Sequence, residues 1–103
     1  MAKKNLSIEE VMEICGVDEE FVVILERKEV IHSTTYRGKK QFSLSQVDRV
    51  RVARVLTEEM RVNFEGVDVV LNMREQMIAM QRQFIKVLER LTEEVKKSPL
   101  DSE

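Results

Sequence analysis

The chain has 103 residues, of which 43% are hydrophobic and 35% charged, and its formal net charge at pH 7 is -2. A single Cys and a single His exclude an internal disulfide and a zinc site built from such ligands. The longest apolar run, Phe21–Leu25, is far shorter than the ~20 residues of a membrane span. Because no signal-peptide apolar segment follows the amino end, we expect a soluble, cytoplasmic protein.

Two short helices are predicted near the amino end. Ser7–Glu10 reads as a capping box, in which hydroxyl and carboxylate bind backbone amides, so the first helix covers residues 8–15 and ends before Gly16. Asp18 is the N-cap of a second helix that continues to about Arg27. Two helices joined by a tight glycine turn are typical of a helix-turn-helix.

A short hairpin and a third helix are predicted next. In residues 30–42, β-branched and aromatic residues flank the polar centre Arg37-Gly38-Lys39. Residues 43–46 form a second possible capping box, which would open the third helix. Its apolar residues recur every three or four positions and should face the first two helices: Leu44, Val47, Val50, Ala53, Leu56 and Met60.

A long fourth helix is predicted after a break at residues 61–66. It would run from Val67 to about Lys96, roughly 45 Å at 1.5 Å per residue, and Ser98-Pro99 would stop it. Its apolar residues follow the a and d positions of a heptad: Val70, Met73, Met77, Met80, Phe84, Val87 and Leu91. We expect this line to be the homodimer interface of a coiled coil, or to bind a partner.

A second apolar line lies on the same predicted helix, at Leu71, Ile78, Ile85 and Leu88. One of the two lines could pack on the chain's own domain. The predicted organisation is therefore a winged helix-turn-helix module at residues 1–62, a long dimerisation or packing helix at 63–97 and a disordered tail at 98–103.

This order of elements resembles the winged helix-turn-helix regulators of the MerR superfamily over residues 6–90. The stretch Phe42–Arg51 resembles the join between wing and third helix. The stretch Asn63–Leu71 resembles the CbpM chaperone modulators and the HspR heat-shock repressors, in which an Asn-x-x-Gly-Val element leads into an apolar helix. The resemblance implies a mainly α fold, a MerR-like winged helix-turn-helix with a short β-hairpin wing and a long C-terminal helix.

The second helix departs from the DNA-reading members of that superfamily. They carry an Arg-Tyr-Tyr pattern where this chain has Val23–Leu25, and here Asp18, Glu19 and Glu20 begin the helix. Acids at this place would repel the phosphates that supply much of DNA binding. The charge is also separated along the chain, with -5 in residues 1–26, +5 in residues 27–61 and -2 in residues 62–103.

The resemblance to CbpM implies a non-enzymatic modulator that binds and restrains a DnaJ-like co-chaperone through its J-domain. J-domains present a basic helix, which an acidic surface suits. The candidate partner-binding surface, here called the acidic patch, consists of Glu9, Glu10, Glu13, Asp18, Glu19 and Glu20. The alternative is that these acids only stabilise helix amino ends and form a solvated face.

A second candidate surface, here called the basic wing, consists of Tyr36, Arg37, Lys39 and Lys40. These side chains could contact nucleic-acid phosphates, or they could be an ordinary polar hairpin tip. They keep open an alternative function, a dimeric MerR-like DNA-binding transcription regulator, although the acidic second helix disfavours DNA.

Catalytic function is not predicted. The sequence has no Gly-rich phosphate loop and no nucleophile near a base, and its carboxylates crowd helix surfaces. Cys15 is expected to be a small buried hydrophobe, because no His or Asp neighbours it in sequence to activate a thiolate. We therefore expect no enzymatic activity, no cofactor, no metal, no small-molecule substrate and no membrane partner.

Overall fold

The computed structural model describes residues 5–97, so the tail predicted at 98–103 lies outside the described residues. The elements in chain order are β1 (Asn5–Leu6), α1 (Ile8–Cys15), α2 (Glu19–Arg27), β2 (Thr34–Tyr36), β3 (Lys39–Ser43), α3 (Leu44–Arg54), a π-helical turn (Val55–Glu59) and α4 (Phe64–Lys97). This confirms the mainly helical winged helix-turn-helix. The chain divides into two compact units, one ending at Leu71 and the other beginning at Asn72.

The first two helices have the predicted caps. The Ser7 hydroxyl accepts a hydrogen bond from the Glu10 amide at 3.2 Å, and the Ser7 amide donates to Glu10 Oε1 at 2.9 Å. Gly16 ends α1 in the left-handed conformation, with φ of 68°. Asp18 Oδ1 accepts from the Phe21 amide at 2.9 Å, so local hydrogen bonds set the bounds of both helices.

The core of the first unit draws side chains from every helix and from the sheet. Val11 of α1, Leu25 of α2, Phe42 of β3, Val50 of α3 and Leu71 of α4 are all completely buried. Burial of each such side chain contributes about 1.5–3 kcal/mol. The helix-turn-helix, the wing and the first turns of α4 therefore form one packed unit.

A three-stranded antiparallel sheet with the order β1-β3-β2 supports the wing. Strand β1 was not predicted; its Leu6 pairs with Phe42, and both side chains are buried. Arg37 and Gly38 connect β2 to β3 with φ values of 52° and 76°. Positive φ at both positions matches a two-residue hairpin turn, so the predicted hairpin is confirmed.

The second predicted capping box, at residues 43–46, is wrong. Ser43 is the N-cap of α3 by position, but its side chain makes no capping hydrogen bond. The Ser43 and Ser45 hydroxyl oxygens lie 3.0 Å apart, and Gln46 Oε1 accepts from the His32 amide at 2.8 Å. The Ser43 hydroxyl is therefore engaged by a neighbouring hydroxyl, and the Gln46 side chain by the amide of a residue outside the helix, so neither group makes the predicted capping bond.

The apolar line of α3 is only partly buried. Val47, Val50 and Ala53 of α3 are buried, and so is Leu56 of the π-helical turn, whereas Leu44 and Met60 are exposed. In the π-helical turn the Met60 amide donates to the Val55 carbonyl, five residues earlier, at 3.2 Å. Because a π turn holds more residues than an α turn, Met60 does not follow Leu56 on the same face.

Helix α4 begins at Phe64, three residues before the predicted start at Val67. Asn63 Oδ1 accepts from the Gly66 amide at 2.8 Å and caps the helix. Only Val67 and Leu71 are buried within α4. Of the second apolar line, Leu71 is buried, Ile78 is half-buried, and Ile85 and Leu88 are exposed. Burial on the chain's own domain is therefore confirmed for Leu71 alone.

None of the helices described in residues 5–97 is long and apolar enough to cross a membrane.

Candidate partner-binding surfaces

The acidic patch has two members that are engaged in capping. Glu10 completes the capping box of α1, and Asp18 caps α2. For these two acids, stabilisation of a helix amino end is therefore an observed role. Glu9, Glu19 and Glu20 also lie in first helical turns, where a negative charge interacts favourably with the helix dipole.

Four members of the acidic patch are exposed to solvent and make no ion pair with any residue in 5–97. On α1, Glu9 and Glu13 are four residues apart, so they lie on one face of the helix. On α2, Glu19 and Glu20 lie in the first turn. These four carboxylates are available to an outside partner.

The middle of α2 is apolar, at the positions where the sequence resemblance places Arg and Tyr in DNA-reading proteins. Val23 and Ile24 are half-buried, and the exposed Arg27 at the end of the helix is its only cation. Phe21 contacts Phe64 of α4, with ring centroids 6.1 Å apart. The solvent side of α2 is therefore acidic at its beginning, partly apolar in the middle and basic at its end.

The basic wing is connected to α2 through Glu26. Lys40 Nζ lies 2.7 Å from Glu26 Oε1, and the Ser33 hydroxyl donates to Glu26 Oε2. Burial acts to raise the pKa of Glu26, but hydrogen bonds from Lys40 and Ser33 and the charge of Lys40 outweigh it, so the pKa lies below its ordinary value. Lys40 is thus paired with α2, although about half of its side chain remains exposed.

The other members of the basic wing lie at the hairpin tip and are exposed. Tyr36 pairs with Lys39 across the two strands, so both side chains lie on one face of the hairpin. The Arg37 guanidinium carbon lies 5.1 Å from the centre of the Tyr36 ring, within the range of a cation–π contact. The structure therefore brings Tyr36, Arg37 and Lys39 together at the hairpin tip. Lys40 instead contacts Glu26 of α2.

A buried arginine that the sequence analysis missed connects three segments of the first unit. Arg49 of α3 is 8% exposed; its Nε donates to the Val30 carbonyl at 2.7 Å, and its Nη2 lies 3.7 Å from Asp68 Oδ1 of α4. The sequence signal for its burial was its position between Val47 and Val50, two residues of the predicted apolar line of α3. This side chain positions the beginning of α4 against the segment that leads into the wing.

Lys28 lies over the same end of α4. Its Nζ is 5.8 Å from the centre of the Phe64 ring and 3.8 Å from Glu65 Oε1. A small cleft lies here, lined by Lys28, Val30, Phe64, Glu65 and Asp68. With opposite charges on its walls, this cleft favours neither an anion nor a cation.

The predicted dimer interface on α4 is exposed along its whole length. All of its members are exposed: Val70, Met73, Met77, Met80, Phe84, Val87 and Leu91. An apolar groove on this helix is lined by the side chains of Met77, Met80, Gln81, Gln83, Phe84, Ile85 and Val87. The polar residues beside this groove are uncharged glutamines.

Cys15 is buried in the core, as the sequence predicted. Burial raises the pKa of its thiol, since the positive charges of Arg51 and Arg54 only partly offset the loss of solvation. Its Sγ lies 3.7 Å from the Val47 carbonyl oxygen. Within residues 5–97, no three His, Cys, Asp or Glu side chains are grouped so that they could hold a metal ion.

The fold and these surfaces define a regulator of the winged helix-turn-helix class. A comparison with known protein families matches the family described as MerR HTH family regulatory protein, over residues 6–90. The chain therefore belongs to that family, whose description is of regulatory proteins and not of enzymes. Neither the curated proteins nor the solved structures include a significant match.

Proposed function

We propose that this protein is a chaperone modulator of the CbpM type, which binds the J-domain of a DnaJ-like co-chaperone and restrains it. The single observation that carries the proposal is the start of α2, where Glu19 and Glu20 are exposed and unpaired within residues 5–97. DNA-reading members of the superfamily place cations in this helix. Carboxylates at this place suit a basic protein helix and oppose a duplex.

The apolar middle of α2 supports a protein partner. Val23 and Ile24 follow Glu20 along the helix and retain part of their surface in solvent. A protein interface combines apolar contact at its centre with charges at its rim, and the apolar contact supplies most of the affinity. A J-domain helix that places lysines beside Glu19 and Glu20 would satisfy both requirements.

The Asn-x-x-Gly-Val element supports membership in the CbpM and HspR branches, and its residues have structural roles. Asn63 caps α4, and Val67 is completely buried. A Cβ at Gly66 would lie 2.7 Å from Val62 Cγ1, so the glycine permits close packing at this turn. The element therefore packs the first turns of α4 into the first unit.

The experiment compares two ligands under the same conditions. The full-length protein is mixed with the J-domain of a DnaJ-like co-chaperone from the same organism, and separately with promoter DNA fragments, in about 0.15 M salt. We expect J-domain binding and negligible duplex binding by titration calorimetry. Tight sequence-specific duplex binding without J-domain association would overturn the proposal.

Charge variants test whether the start of α2 is the surface that binds the J-domain. We expect Glu19→Lys with Glu20→Lys to weaken J-domain binding by at least about tenfold, because like charges then meet at the interface. Glu19→Gln with Glu20→Gln should give a smaller loss with less effect on the amino end of α2. Glu93→Lys with Glu94→Lys, on exposed positions of α4, is the matched control. Equal binding by all variants would remove the start of α2 from the mechanism.

A DNA-binding transcription regulator is the second candidate, and the tip of the basic wing favours it. Arg37 and Lys39 are exposed and form no ion pair within residues 5–97. With Arg27 at the end of α2, they offer three cations to a phosphate backbone. Under this alternative, the substitution Lys39→Gln would weaken duplex binding and reduce its dependence on salt.

We also propose that the protein is a homodimer through the a and d line of α4, from Val70 to Leu91. An apolar line of this length on a single exposed helix is a large unsatisfied surface. The second copy is the favoured occupant because Gln81 and Gln83 flank its centre. Identical copies bring identical flanking residues close together, and uncharged flanks avoid repulsion between them.

A further inference from the structure

We propose that Met73, Met77 and Met80 form an oxidation-sensitive site, and that their conversion to methionine sulfoxide prevents self-association. The inference rests on the proposed homodimer. It assigns to these three side chains a chemical modification that would control whether two copies pair.

The three thioethers occupy successive a and d positions in the middle of the apolar line. Their exposed fractions are 62%, 60% and 68%. Met60 is equally exposed, at 63%, but lies outside the apolar line of α4, whereas Met12 is half-buried against the core of the first unit. In the unpaired chain, an oxidant therefore reaches the three α4 sulfurs more readily than it reaches Met12.

The reaction needs a hydroperoxide, for which hydrogen peroxide is the simplest probe. The sulfur attacks one peroxide oxygen, the O–O bond breaks, an S–O bond forms and one water molecule leaves. The sulfur loses two electrons and the peroxide gains two. Each event adds one oxygen atom to a side chain, and methionine sulfoxide reductases reverse it.

The product is incompatible with the apolar groove. Met77 and Met80 line it together with Phe84, Ile85 and Val87, and its polar lining residues are Gln81 and Gln83. A sulfoxide oxygen accepts hydrogen bonds strongly, and among the lining side chains only the amides of Gln81 and Gln83 can donate to it, so burial beyond their reach is unfavourable. Pairing would bury such an oxygen, so we expect each sulfoxide to raise the dissociation constant about tenfold or more.

Oxidation and pairing therefore compete for the same side chains. Pairing covers the sulfurs, and oxidation of an unpaired chain blocks pairing. The protein should be sensitive to peroxide when dilute and protected when concentrated. Leucine at these positions would support pairing without this sensitivity, since Leu and Met have similar volumes.

The full chain is treated with hydrogen peroxide in dilute solution, where it is unpaired, and is then concentrated for comparison with untreated protein. Peptide mass mapping should find sulfoxide at Met73, Met77 and Met80 before Met12. Sedimentation should show a dimer before treatment, a monomer at the same concentration afterwards, and a dimer again after incubation with methionine sulfoxide reductases A and B. The matched control carries Met73→Leu, Met77→Leu and Met80→Leu and retains the other three methionines.

The outcomes distinguish failure of the oxidation site from failure of the proposed homodimer. A treated wild-type protein that stays dimeric, with all three sulfurs oxidised, would overturn the oxidation site and leave the dimer intact. Equal loss of the dimer in the leucine variant would also overturn it, since the sensitive group would then lie elsewhere. An untreated protein that is monomeric throughout the micromolar range would overturn the homodimer, and the oxidation site with it.

Discussion

Gly66 lies in the first turn of α4, where the helix approaches the residues that precede it. A Cβ built on this glycine would be 2.7 Å from Val62 Cγ1 and 3.2 Å from Asn63 Oδ1. The first distance is below normal contact, and valine has no long flexible end that could move away. The absence of a side chain at this position therefore permits the cap and the packing together.

The substitution Gly66→Ala should destabilise the protein by about 1–3 kcal/mol, the usual range for added volume in a packed site. In an unstrained helix the same change would be stabilising by about 1 kcal/mol, so the sign of the effect tests the contact. Urea unfolding measures the free energy. Because Val62→Ala removes the clashing methyl groups, the loss caused by Gly66→Ala should be smaller in that background. A stabilising Gly66→Ala would contradict this account of the glycine.

At the scale of elements, Glu26 connects α2 to the wing. Its carboxylate accepts from Ser33, which precedes β2, and from Lys40 of β3. The pKa of Glu26 in the folded protein lies below the ordinary value of 4.5. A depressed pKa means that this carboxylate stabilises the fold above about pH 4.5 and loses that contribution as the pH falls through its folded pKa.

The variant Glu26→Gln should therefore be less stable than the wild type at neutral pH, with a difference that shrinks on acidification below pH 4.5. Thermal unfolding at a series of pH values measures the difference. Glu13→Gln is the control, because Glu13 is exposed and makes no ion pair within residues 5–97. A difference between wild type and Glu26→Gln that is constant from pH 7 to pH 3 would contradict the assignment.

Local patterns predicted the elements whose caps are satisfied within the same helix. Ser7, Gly16 and Asp18 act as expected because their partners lie three or four residues away. The box at residues 43–46 failed because Gln46 bonds instead to His32, fourteen residues earlier. Strand β1 was missed because its two residues pair with β3, far along the chain, and carry no periodic pattern of their own.

For the candidate surfaces too, the sequence indicates which side of a strand a residue lies on, but not which residue of another element it contacts. Alternation along β3 would have shown that Lys40 lies on the same side as the buried Phe42, whereas Lys39 lies on the other side. The partner of Lys40, Glu26, belongs to another element. No spacing rule would have linked the two residues.

At the scale of the whole molecule, the proposed homodimer depends on the exposed apolar line of α4. Replacement of Phe84 by Glu should weaken self-association at least about a hundredfold, because an unpaired carboxylate in an apolar interface costs several kcal/mol. Lys86→Glu introduces the same side chain two residues away, about 200° around the helix from Phe84, and should leave the dimer intact. Sedimentation across the micromolar range measures both. An unchanged dimer for Phe84→Glu would place the interface elsewhere.

The pair formed by Lys40 and Glu26 also bears on the alternative in which the wing contacts phosphates. A ligand that recruits Lys40 must separate it from a carboxylate 2.7 Å away, and the cost of that separation reduces the free energy gained from the new contact. A ligand that needs only Arg37 and Lys39 avoids this cost. Under the DNA-binding alternative, this cost would act against an extended polyanion, which requires a continuous row of cations, more than against a small acidic group at the hairpin tip.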